Sequence, residues 1–122
     1  MRSAAVVTAG ALVAGCLPHV LVLAGRLPHT ALAGGRIPDA RTGRIASAAS
    51  IPVLVAEAGA ALWAGIRCER TRGVGSVLAV HAAVTLLPQL VGTPFERRYA
   101  APVCVVWLAG AVALAARSPT PR

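Results

Sequence analysis

Four apolar stretches, Ser3 to Gly25, Ile45 to Ile66, Val74 to Gly92 and Tyr99 to Ala116, are separated by short segments that carry nearly all of the charge. Each stretch is close to the roughly 20 residues that an α-helix needs to cross a hydrocarbon core ~30 Å thick. The gaps read RLPHTALAGGRIPDARTGR, RCERTRG and TPFERR. The pattern predicts an all-α, integral membrane four-helix up-down bundle. The whole chain forms one transmembrane domain, with both termini on one side.

The junction before the last stretch shows how such a helix starts. Thr93-Pro94-Phe95-Glu96 has the form of a capping box: Thr93 at the N-cap, Pro94 at N1, and Glu96 at N3 returning to the Thr93 amide. Arg97, Arg98 and Tyr99 follow, and guanidinium and phenol groups are favoured at headgroup depth. These residues are read as a helix cap and interface anchor.

Ionisable residues inside the stretches are few: Glu57 in the second, His81 in the third and His19 in the first. Gln89, Thr85, Thr8 and Ser50 are their uncharged companions. Such groups are costly in lipid and face the bundle interior, which makes Glu57, His81, His19 and Gln89 candidates for a proton or ligand site. Helical spacing aligns them. His81, Thr85, Pro88 and Gln89 form one stripe, Ser50 and Glu57 stand seven apart, and Thr8, Gly15 and His19 share a face.

Depth sorts the stripes into layers. Counted at 1.5 Å per residue from the side bearing the termini, Glu57 lies at ~13 Å and His81 at ~10 Å, while His19 and Gln89 lie at ~24 and ~22 Å. Glu57 is therefore expected beside His81, and His19 beside Gln89, if the second and third helices are antiparallel neighbours. A carboxyl next to an imidazole titrates as a pair. The structural alternative is a protonated carboxyl bonded to a neighbouring helix, worth about 0.6 kcal/mol on average in membrane bundles.

Composition agrees with the pattern. Apolar residues make up 57% of the 122 and charged residues 13%, against about a half and a quarter in soluble domains. Mean hydropathy is +0.71. The net charge of +8 would raise nucleic acid as a partner, but all twelve basic residues are arginines, in the gaps and at the chain ends, with no basic face or interleaved aromatics. Nucleic acid is excluded on that ground, and the partner is the lipid bilayer of a cell membrane crossed several times.

Orientation does not follow from charge. Arg2, Arg67, Arg70, Arg72, Arg117 and Arg122 fall on the side of the termini, and Arg26, Arg36, Arg41, Arg44, Arg97 and Arg98 on the other, a tie under the positive-inside rule. The small residues Gly10, Ala14 and Gly15, and the pair Ala61 and Gly65, permit close helix approach. They are expected to give tight internal packing and to suit a homodimer or a larger membrane partner.

Several chemistries find no support. Cys16, Cys68 and Cys104 are single and far apart, which gives neither a zinc site nor a disulfide framework. Val13-Ala14-Gly15-Cys16 resembles a bacterial lipobox, under which Cys16 would be lipidated; against it, the chain stays apolar through Leu17 to Ala24. A haem between His19 and His81 fails on their ~14 Å difference in depth. No phosphate loop, nucleophile elbow or HExxH pattern occurs. No cofactor, metal or enzymatic activity is expected. Pro18, Pro52, Pro88 and Pro102 are expected to interrupt all four helices.

The segment LLPQLVGTPFERRYAAPVCVVWLAGAVALAAR resembles the tail of uncharacterised small four-span bacterial membrane proteins, in which a turn is followed by Glu-Arg and then Pro-Val. Glu96, Arg97, Pro102 and Val103 carry the match. The resemblance implies the architecture and no activity. Size and span count are also similar to small multidrug transporters, which carry one essential membrane glutamate. Here the glutamate lies in the second span, and the aromatic residues of their drug pocket are missing. The function expected from sequence is a non-enzymatic structural or accessory membrane protein. The alternative is a small proton-coupled transporter using Glu57 and His81.

Overall fold

The computed structural model describes residues 2–67 and 71–116; Cys68, and Arg70, Arg117 and Arg122 of the arginine count, lie outside them. The fold is an all-α bundle of four helices: α1 (Arg2–Leu23), α2 (Ala40–Arg67), α3 (Thr71–Leu90) and α4 (Ala101–Ala115). A π-helical turn, Glu96–Ala100, leads into α4. All four helices are long and apolar enough to cross a membrane, α4 when counted with its π turn. Packing is uneven around the ring. α1 lies along α2, α3 along α4, and α1 against α4, whereas α2 and α3 touch far less. Two hairpins are thus joined through α1 and α4, and the α2–α3 seam is the least closed.

Residue size is sorted in the sense that lipid requires. Ala61, Ala64, Ala82 and Ala111 have no exposed surface, and Leu12, Leu78, Trp107 and Leu114 are the large residues among them. Val6, Val13, Ile66, Val77, Val84, Leu87 and Val105 point outwards. Acyl chains solvate such an exterior, and helices in lipid gain by packing small residues closely. At Gly75 a side chain would run into the backbone of Ala115, so α3 and α4 approach at a distance only glycine allows. Of the small residues picked out from sequence, Ala61 and Gly65 are buried within the bundle, while Gly10 faces outwards with nothing near it.

The helix ends have local causes. α1 stops in a Schellman motif: Gly25 takes φ 68°, its amide bonds Val22 O at 3.1 Å, and the Arg26 amide bonds Leu21 O at 2.8 Å. α2 starts at Ala40, five residues before the apolar run begins, because Asp39 caps it. The Thr42 amide donates to Asp39 Oδ1 at 2.8 Å and the Thr42 hydroxyl to Oδ2 at 2.9 Å. Arg41 and Arg44, expected in the loop, therefore lie in the first two turns of α2.

The prolines do not break the helices. α1, α2 and α3 run on through Pro18, Pro52 and Pro88. Pro18 has no N–H to give Ala14, four residues earlier, and the Tyr99 hydroxyl donates to that carbonyl instead, at 2.8 Å. Pro102 is reached through the π turn, in which the Ala101 amide bonds Glu96 O, five residues back.

Candidate functional site

The polar side chains gather along the open seam. Glu57 stands ten residues before Arg67 at the end of α2, and His81 ten residues after Thr71 at the start of α3. Both therefore lie ~15 Å from the facing ends of α2 and α3, half the thickness of a bilayer core. His81 Nδ1 is 2.6 Å from Glu57 Oε1. One proton serves this contact, carried either by the carboxyl or by the imidazole. Glu57 Oε2 is buried and has no partner among the described residues. The His81 ring meets Trp107 of α4 in a T-shaped contact, centroids 5.0 Å apart at 82°.

Two cavities flank the pair. One, about 700 Å³, is lined by Ala56, Glu57, Ala60, Gly73, Val74 and Val77, towards the end of α2 and the start of α3. The other, about 800 Å³, reaches from His81 and Trp107 to the α1–α2 connection, past Ser50, Thr85 and Gln89. The side chains of His81 and Glu57 keep 40% and 19% of their surface exposed.

The second layer differs from its sequence expectation. His19 Nδ1 pairs with Ser47 Oγ at 3.3 Å, not with Gln89. The cause is the packing order, since α1 lies on α2 and not on α3. Gln89 Oε1 is buried without a partner among the described residues. His19 and Gln89 line the same 800 Å³ cavity from separate walls.

At the loop end, Thr93 and Glu96 make the reciprocal bonds of a capping box. The Glu96 amide donates to Thr93 Oγ1 at 3.2 Å, and the Thr93 amide to Glu96 Oε2 at 2.8 Å. The same carboxylate accepts the Gly34 amide, and the Thr93 hydroxyl donates to Ala31 O at 2.6 Å. The cap of the last helix thus also holds the α1–α2 connection. Arg97 and Arg98 face outwards. Tyr99, placed at headgroup depth by sequence, instead turns inwards to Ala14, stacked beside Phe95. Pro18 explains the difference, because the carbonyl it frees needs a donor.

Sequence reasoning passed over Asp39, although Pro-Asp-Ala-Arg-Thr held the signal of an N-cap with a donor at N3. The Thr42 amide and hydroxyl hold the Asp39 carboxyl below its ordinary value of 3.8. Among the described residues no three His, Cys, Asp or Glu side chains group as metal ligands. No family model, curated protein or solved structure matches the chain.

Proposed function

We propose that the protein is a multi-pass, non-enzymatic protein of the cell membrane that carries a small solute coupled to a proton held between Glu57 and His81. The observation in its favour is position: the pair lies mid-way through the bundle, with Glu57 on one cavity and His81 on the other. Transfer of the proton from the carboxyl to Nδ1 turns a neutral pair into an ionic one and moves no helix. Charge at that depth is expensive and is seldom kept without a use. The loose α2–α3 seam supplies the contact that would open and close.

A structural or accessory role is favoured by a different feature. Among the described residues, His81–Glu57 is the one side-chain hydrogen bond between α2 and α3, the least packed neighbours. A clamp needs the bond and not the proton. Glu57→Gln separates the two, since it keeps an acceptor and removes the titrating group. Proteoliposomes containing a pH dye would be screened for solutes that drive proton movement. The carrier predicts such movement in the wild type and its loss in Glu57→Gln at unchanged abundance and fold. Equal proton movement in the variant, or none in the wild type with any solute, would leave the clamp.

A further inference from the structure

We propose that the 800 Å³ cavity binds a single-chain amphiphile with an anionic head, its head at Arg36 and its chain running inwards to Trp107. This adds a ligand class to the carrier proposed above, and it rests on separate observations. The first is shape. The cavity begins at Arg36 and Ile37 in the α1–α2 connection and ends at His81 and Trp107. His81 lies nine residues inside the end of α3, so the cavity is ~14 Å deep. That is about one leaflet of a ~30 Å hydrocarbon core. Its volume is also that of a ligand site, roughly 300–1,000 Å³.

The second observation is how the chemistry is graded along that depth. Arg36 is exposed and makes no ion pair among the described residues. His19, Ser47 and Gln89 follow, and the orphaned Gln89 amide oxygen is a buried acceptor beside the path. Leu12, Val53, Leu54 and Val103 then make an apolar wall down to Trp107. A charged end at headgroup depth, a few polar groups, and an apolar shaft match an acyl chain with a polar head.

The third is charge at this end of the bundle. Arg26, Arg36, Arg41, Arg44, Arg97 and Arg98 face only Asp39 and Glu96. Glu96 also borders the cavity, but both of its oxygens accept amide hydrogens, from Gly34 and Thr93. Asp39 is engaged with Thr42. The field at the mouth therefore favours an anion. A carboxylate or phosphate head meets this requirement, whether on a free fatty acid or on a lysophospholipid.

The test uses Trp107 as reporter. Trp63 is 45% exposed on the outside of α2 and would report bulk lipid, so Trp63→Phe is made first. The full chain, in nanodiscs of zwitterionic lipid, is titrated with bromine-labelled palmitic acid, bromine-labelled lysophosphatidylglycerol and bromine-labelled lysophosphatidylcholine. Saturable quenching of Trp107 by one or both anionic chains, and not by the zwitterionic one, is expected. Whichever anionic arm saturates identifies the source of the head. Arg36→Gln, in an exposed connection, should raise the half-saturating concentration about tenfold. Ala49→Phe, on an exposed wall of the cavity, should abolish saturation. Val84→Ala, on the outside of α3 and lining neither cavity, should leave the titration unchanged; the quenching titration involves no proton gradient, so failure of the proton pair and failure of the ligand site are distinct results. Non-saturating quenching equal for all three chains, or an unchanged titration in Arg36→Gln, would overturn the proposal.

Discussion

The Tyr99 hydroxyl donates to the carbonyl of Ala14 across 2.8 Å and 85 residues of chain, supplying the hydrogen that Pro18 cannot. Removing it strands a carbonyl in the bundle. Tyr99→Phe should cost about 1–2 kcal/mol. In a Pro18→Ala background residue 18 regains its amide, and the same change should cost under about 0.5 kcal/mol. Reversible unfolding in mixed micelles measures both, and the coupling should be ~1 kcal/mol. Strict additivity of the two substitutions would mean that the hydroxyl does not serve the proline.

Glu96 holds two parts of the chain at once. It is 1% exposed and accepts amides from Thr93, at the start of its own helix, and from Gly34, 62 residues earlier. Glu96→Ala leaves those donors, one half-buried and one exposed, without their acceptor, at a cost of about 1–2 kcal/mol. Glu96→Gln keeps one acceptor and should cost less. Limited proteolysis should cut the 24–39 connection faster in Glu96→Ala than in the wild type. An unchanged cleavage rate would show that the connection is held by its apolar contacts alone.

How far the sequence reached depended on whether a feature was local. Helix count came from hydropathy, because lipid imposes the same length on every span. The Thr93–Glu96 geometry came from four adjacent residues. The neighbouring depths of Glu57 and His81 followed from counting residues back from one short turn. The start of α2 was misplaced, because hydropathy marks where lipid begins, whereas Asp39 marks where the helix begins. His19 was assigned to the wrong partner because depth says nothing of which helices are neighbours. Gly34 as a ligand of Glu96, and Ala14 as the acceptor for Tyr99, depend on contacts that no local pattern carries.

Asp39 gives a pH dependence with a definite sign. Bonds from Thr42 lower its carboxyl below the ordinary 3.8, so the folded form binds the proton less readily than the unfolded form. The cap is therefore fully effective above that value and is lost as pH falls through the lower, folded value. Hydrogen exchange of the first turn of α2 reads it directly. Asp39→Ala should speed exchange of the Thr42 amide near neutral pH, and the difference from wild type, corrected for intrinsic rates, should vanish in strong acid. A difference that persisted unchanged in strong acid would assign the protection to something other than the ionised cap.

The edge contact between His81 and Trp107 lets an optical probe report on the hydrogen bond at the centre of the bundle. With Trp63→Phe removing the outer tryptophan, emission comes from Trp107 alone. Glu57→Ala removes the acceptor that fixes the His81 ring, so the emission and anisotropy of Trp107 should change and stability should fall by about 1 kcal/mol. Glu57→Gln keeps an acceptor and should leave both closer to wild type. A Trp107 signal and a stability unchanged in Glu57→Ala would show that the carboxyl does not hold the ring, and the carrier and the clamp would both lose Glu57.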